Sequence, residues 1–276
     1  METPATAEAA PASERTSRPV LLDIVDLSRS FGGLRAVDGV TLDVRQGEIF
    51  SIIGPNGAGK TTVFNLITGI YKPDSGTMTF EGRSIAGLTP DRVLRRGIAR
   101  TFQNIRLFNN MTVLENALVG QQIRFPSDLA SVMLHLPNYR KAEREARARA
   151  IELLSFFGPS LVDRQDEYAS NLSYADRRRV EIVRALGSGP RLLLLDEPTA
   201  GMNDAETAEA ITYIQRLRRE FNLTVLLIEH KLQVTMGISD HIVVLDYGKK
   251  LAEGIPSEIQ RNPLVIEAYL GRKAEV

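Results

Sequence analysis

The stretch IFSIIGPNGAGKTTVFNLI, residues 49–67, restricts the possible folds more than any other part of this chain. The run IFSII ends at Gly54, as expected of a strand covered on both faces. After a Gly-rich segment, Val63, Phe64, Leu66 and Ile67 recur at helical spacing until Gly69. Strand, glycine turn and helix in that order ask for a mostly parallel sheet with helices packed on it. The turn, GPNGAGKTT at residues 54–62, fits the phosphate-loop pattern in the context that confirms it. Backbone N–H groups of such a loop form a concave nest for phosphate oxygens, helped by the helix N-terminus. Gly57 and Gly59 leave room for close approach, Lys60 can reach the β- and γ-phosphates, and the Thr61 hydroxyl can ligate Mg²⁺.

The rest of the chain agrees with an α/β fold. Short strands are expected around Leu21–Leu27 and Val40–Val44, with Asp38-Gly39 as the turn between them. Further strands are expected at LLLL (residues 192–195), LTVLLI (223–228) and IVVLD (242–246). A helix carrying Ile211, Ile214, Leu217 and Phe221 lies between the first two of these. Residues 104–187 change character: Ala146, Ala150, Leu153, Leu154 and Phe157 make an apolar stripe beside alternating Glu and Arg, which suggests a helical subdomain. Near the end, Asn262-Pro263 supplies a cap with proline in the first helical turn, and Gly271 is expected to close that helix. Residues 1–19, rich in Ala, Pro, Ser and Glu, are expected to be a disordered tail, leaving 20–276 as the folded domain.

RLLLLDEPTAG supplies acids to match the phosphate cradle. Asp196 ends a strand, where it can hold Mg²⁺, and Glu197 beside it can polarise an attacking water. Gln103 in RTFQN is a candidate metal or water ligand, and His230 follows the strand LLIE at the carboxyl edge of the sheet, where open α/β folds bind ligands. Phe31, in RSFGG, is by itself an ordinary loop aromatic. A further helix start, NLSYADRRR at residues 171–179, raises the question of a second anion-binding N-terminus.

Composition removes competing classes. Lys plus Arg and Asp plus Glu number 34 each, so no basic field exists to attract nucleic acid. The chain has no cysteine, which excludes disulfides and thiolate metal sites and fits a cytosolic protein. No apolar run approaches the roughly 18 residues of a membrane-spanning helix.

Together, GPNGAGKTT, Gln103 in TFQN, NLSYADRRR, LLLLDEPTAG and IEH at 228–230 occur in the order found in ABC-type ATPases, a resemblance that covers about residues 20–271. Within that family the chain most resembles the ATP-binding subunit of branched-chain amino acid importers, through FGGLRAVDGV, RTFQNIRLFNNMTVLENALVG, the insertion through HLPNYRKAEREA, MGISDHI and NPLVIEAYLG. The resemblance implies a P-loop NTPase fold with a mostly parallel core sheet, an antiparallel N-terminal sheet and a helical subdomain. It implies ATP and Mg²⁺ as ligands, with Phe31 stacking on adenine and Asn56, Gly57, Ala58, Gly59, Lys60, Thr61 and Thr62 around the phosphates. Thr61, Gln103 and Asp196 would serve the metal; Glu197 would be the general base, and His230 would contact the γ-phosphate.

The helix start at residues 172–176 would close, through Ser173, Tyr174 and Ala175, over ATP held by a second ABC ATPase subunit, in a homodimer or heterodimer. Residues 200–203 would cross the interface between the two. The other implied partners are transmembrane permease subunits and, indirectly, an extracellular or periplasmic solute-binding protein. The implied location is peripheral, on the cytoplasmic face of the membrane. An ATPase of a lipopolysaccharide-type export complex and a soluble non-transport ABC protein are the alternatives; the insertion around 122–145 and the absence of a basic field favour the importer.

Three departures from the family pattern stand out. The closing segment reads LSYAD where the family has Gly-Gly-Gln after Leu-Ser. Asp176 either brings a carboxylate toward a polyphosphate, impairing that site, or complements its own helix dipole. Lys231 stands where Asp often follows the histidine, and Asn203 where Asp is common. Arg177, Arg178 and Arg179 read as a solvated or interfacial helix start.

Overall fold

The computed structural model describes residues 12–124 and 137–270. The first part of the expected tail (1–11), the middle of the central insertion and Gly271 lie outside the described residues.

Ten strands form two sheets among the described residues: β1 Val20–Phe31, β2 Leu34–Arg45, β3 Ile49–Ile53, β4 Ser75–Phe80, β5 Arg83–Ser84, β6 Ile98–Arg100, β7 Leu192–Asp196, β8 Thr224–Ile228, β9 His241–Asp246 and β10 Lys249–Gly254. The larger sheet has the order β10-β9-β3-β8-β7-β6. It is parallel except at its β10 edge. The smaller, β2-β1-β4-β5, is antiparallel throughout. Every residue of β3, β7 and β8 is buried, as a strand between two covered faces requires.

Side-chain alternation divides the core. Phe50, Ile52, Leu192, Leu194, Leu226 and Ile228 face the antiparallel sheet and helix α2 (Lys60–Ile67). Their neighbours Ile49, Leu193, Leu195, Val225 and Leu227 face the opposite way, onto a helical layer. That layer contains α4 (Val113–Val119), α5 (Pro137–Phe156), α6 (Pro159–Asp163), α7 (Tyr174–Gly187) and α8 (Asp204–Glu220). In α5 the stripe Ala146, Ala150, Leu153 and Leu154 is buried, and the charged positions lie outside it. The remaining helices are α1 (Ala12–Ser17), α3 (Pro90–Arg95), α9 (Leu232–Ile238), α10 (Pro256–Arg261) and α11 (Pro263–Leu270). Asn262 accepts a hydrogen bond from the Leu264 N–H at 3.0 Å, as its cap position suggested.

Two expectations need correction. Asp38-Gly39 is not the turn between the first strands. β2 runs straight through it, and the chain reverses at Gly32-Gly33 instead. Gly39, at φ +65°, lies where the β1–β2 register shifts, and its N–H donates to Ser28 Oγ at 2.9 Å. An Asp-Gly pair suits a bulge as readily as a turn. The second correction concerns the tail, whose last residues are ordered. Ala12–Ser17 is helical, and Arg15 Nε donates at 3.1 Å to the fully buried Glu48, which needs a cationic partner there.

Candidate active site

The phosphate loop is pinned from both ends by glycine. Gly54 leaves β3 at φ +149°, and a Cβ there would run into the carbonyl oxygen of Leu245 on β9. Gly59 opens α2 at φ +99°, and a Cβ there would strike the carbonyl of Ala36 on β2. No side chain caps α2, so its first N–H groups stay available to a ligand. Lys60 Nζ folds back to the carbonyls of Gly54 (2.7 Å) and Pro55 (2.9 Å). Burial pulls its ammonium below the usual lysine range, with Glu197 and Asp196 opposing that pull.

At the end of β7 the two acids differ in surroundings. Asp196 Oδ2 is bound at 2.6 Å by Arg100 of β6, while its buried Oδ1 has no hydrogen-bond partner. An orphaned carboxylate oxygen at the foot of a phosphate cradle suits a hard divalent cation, so these residues fit Mg²⁺. Glu197, one residue on, adopts φ +49° and donates its N–H to the Ile228 carbonyl at 2.8 Å. Its side chain is held from two sides. His230 Nε2 lies 2.7 Å from Oε1, and Gln103 Nε2 donates to Oε2 at 3.0 Å. The carboxylate can take up a proton, and its two neighbours fix its direction.

Phe31, Asn56, Gly57, Ala58, Gly59, Lys60, Thr61, Thr62, Gln103, Glu197 and His230 line one cleft of about 540 Å³, together with Leu34 and Tyr247. That volume suits a small molecule. Phe31 and Tyr71 pack edge to face, and the Arg29 guanidinium lies 4.9 Å from the centre of the Phe31 ring. Ser173, Tyr174 and Ala175 do not line this cleft. They sit at the start of α7, where Ser173 Oγ accepts from the Asp176 N–H at 3.1 Å.

Residues 37–200 match the sequence family described as ABC transporter, and residues 249–275 match the one described as branched-chain amino acid ATP-binding cassette transporter. The chain belongs to the ABC transporter ATP-binding family. The cassette is 49% identical over 251 residues, 91% of this chain and 98% of the relative, to the high-affinity branched-chain amino acid transport ATP-binding protein LivG of Salmonella typhimurium. It is 46% identical to BraF of Pseudomonas aeruginosa, a protein of the same description, over 92% of this chain and 99% of that one. A crystal structure of an ATP-binding cassette in its ADP conformation superposes with TM-score 0.80 at 34% identity, covering 92% and 99% of the two chains.

Several residues that hold the cassette's site went unnoticed in the sequence. Arg100 is one: its other nitrogen donates to Asn65 at 2.6 Å, and its guanidinium lies between the rings of Phe64 and Phe102. Glu229 is another. Buried beside His230, it accepts the backbone N–H of Thr199 at 2.8 Å and the Thr199 hydroxyl at 2.7 Å, fixing the turn after Glu197. A charged residue within an apolar strand context was the available signal for both. Arg178 was misread: it is fully buried and bonded, not solvated.

Asp176 and Lys231 acquire local accounts. Asp176 is engaged by Arg164 at 3.2 Å and Arg179 at 3.1 Å, a pairing that favours a role within its own helix start. Lys231 Nζ donates to the Met202 carbonyl and the Thr207 hydroxyl, both at 3.0 Å, tying the segment after His230 to residues 200–207.

Proposed function

We propose that this cassette is the ATP-hydrolysing subunit of an importer for branched-chain or related amino acids. The kinship with LivG and BraF supports the solute class. The reading is carried by Glu197, suspended between His230 and Gln103 above the phosphate loop. There it accepts the proton of the attacking water, and His230 keeps the carboxylate aimed. Lys60 leaves the loop carbonyls to bind the β- and γ-phosphates. Thr61 and Asp196 Oδ1 would hold Mg²⁺, which when bound would neutralise phosphate charge. Phe31 supports the adenine. Ser173, Tyr174 and Ala175 close over the nucleotide of a second cassette, which explains their position outside this chain's own cleft.

No helix among the described residues is long and apolar enough to cross a membrane. On the kinship with LivG and BraF, the cassette works through permease subunits, attached at the cytoplasmic face, with an external binding protein delivering the solute. Glu197→Gln tests the assignment in the purified transporter: hydrolysis should fall about 10³-fold while ATP is retained in a closed dimer. Turnover close to the parent rate would remove Glu197 from the role. Stimulation of ATP hydrolysis by leucine, isoleucine or valine, through their binding protein in vesicles, tests the solute class.

A further inference from the structure

The loop that presents Gln103 belongs to no helix or strand, yet side chains of one helix bond its backbone at residues 102, 103 and 106. Arg178, the sixth residue after Leu172, is fully buried. Its Nη1 donates to the Phe102 carbonyl at 2.6 Å and to Glu181 Oε2 at 2.9 Å, and its Nη2 donates to the Gln103 carbonyl at 2.8 Å. Glu181 turns its other oxygen to the N–H groups of Arg106, at 3.2 Å, and Phe102, at 3.4 Å. Arg184, one turn further, donates to the Arg106 carbonyl. Residues 178, 181 and 184 lie on one face of α7. A single helix face therefore holds the backbone on both sides of Gln103. Arg178 Nη2 also lies 3.5 Å from the carbonyl of Glu197 and 3.4 Å from the Tyr174 hydroxyl.

A buried ion pair contributes little net stability compared with apolar side chains of the same volume. Its value here is directional. The guanidinium spans two successive carbonyls with a planar fork, which an apolar side chain cannot imitate.

We propose that Arg178 and Glu181 lock the Gln103 loop to the helix beginning at Ser173, so that closure of that helix start on a partner's nucleotide repositions Gln103 in this chain's own site. The two ATP sites of a dimer are thereby linked through one chain. Any tilt of α7 carries the carbonyls of Phe102 and Gln103 with it, and Gln103 Nε2, now 3.0 Å from Glu197, moves relative to the base. Arg178 and Glu181 are positioning residues, since neither reaches the cleft. The inference rests on the reading above, that the Ser173 segment closes on a second cassette's ATP.

The test uses the intact transporter, with both positions changed together as Arg178→Met/Glu181→Met. Replacing the whole pair removes the cost of a lone buried charge, so the thermal midpoint should stay within about 3 °C of the parent. The KM for ATP should stay within about twofold, because the phosphate loop is untouched, while kcat falls about tenfold. Velocity against ATP concentration should also lose any sigmoidal character. A folded double variant with parental kcat overturns the proposal. Should that variant not fold, Arg178→Lys serves: it keeps the charge beside Glu181 but cannot bridge both carbonyls, and the same split of kcat from KM is required of it. The parent reading is checked separately by Glu197→Gln. If that complex does not retain ATP, the reading of closure fails; if it does and the pair variants turn over normally, only the link fails.

Discussion

The cassette has two helix starts that face phosphate in the proposed assembly, and they are built in opposite ways. At α2 glycine at φ +99° occupies the cap position, no side chain accepts the first N–H groups, and the first turn carries no acid. At α7 the Ser173 hydroxyl already accepts the Asp176 N–H, and Asp176 adds a negative charge in that first turn. The first start is left open, with its positive end available to a ligand in the same chain. The second is satisfied internally, so an anion gains less from it. This difference suggests a division of labour: α2 binds the nucleotide, and α7 recognises a nucleotide that is already bound.

The largest effect should come from the open side. Lys60→Ala removes the only side-chain cation that the phosphate loop itself carries. The loss is about 3 kcal/mol, or roughly 100-fold in ATP affinity by equilibrium binding. Affinity within a few-fold of the parent would mean the backbone nest suffices and the comparison is overdrawn. Next comes Lys231→Met, which cuts the tie between the segment after His230 and residues 200–207. Losing two hydrogen bonds should lower stability by about 1–2 kcal/mol, visible as a drop in thermal midpoint, with nucleotide affinity unchanged. A change in affinity alone would place Lys231 in the nucleotide site. On the closed side, Ser173→Ala should cost about 1 kcal/mol of stability, a shift of about 2–4 °C, because the hydroxyl caps its own helix. An unchanged midpoint with impaired turnover would show that the hydroxyl serves the partner's nucleotide alone.

The open side was also the more legible in sequence. GPNGAGKTT shows its strand, loop and helix directly, since the glycines have no purpose outside that geometry. The apolar runs of β3, β7 and β8 disclosed the parallel core for a similar reason: strands buried on both faces admit almost nothing else. The closed side was opaque. Whether Arg178 is solvated or buried depends on what α7 packs against, and the backbone carbonyls it meets, at 102 and 103, are some 75 residues away in the chain. Asp176 likewise stays open between facing a polyphosphate and serving its own helix start until Arg164 arrives from the loop after α6. Arg100 shows in the sequence only as a charge beside apolar residues; its partner Asp196, on a neighbouring strand, could not be read from position alone. Local motifs announce backbone geometry; long-range charge partners do not. Asp38-Gly39 marks the limit even for local motifs, because a hairpin turn and a bulge can both place the glycine at positive φ.

The smallest expected effect, Asp176→Gln, discriminates most finely between the two helix starts. If the carboxylate faced a partner's phosphates, removing its charge would raise hydrolysis by the intact complex many-fold. In the structure it is held instead by Arg164 and Arg179, with Glu167 and Glu209 completing a surface network of alternating sign. A charge already compensated at about 3 Å on two sides projects little field beyond its partners. Such partly exposed pairs are worth about 0–1 kcal/mol, so turnover should stay within about threefold of the parent. The direction carries information as well. Glutamine frees Arg164 and Arg179 to turn toward the nucleotide of the second cassette, so the small change should be a gain that fades as salt is raised. A tenfold gain that is insensitive to salt would mean that Asp176 leaves its arginines on closure, and that the second helix start is held back by its own carboxylate.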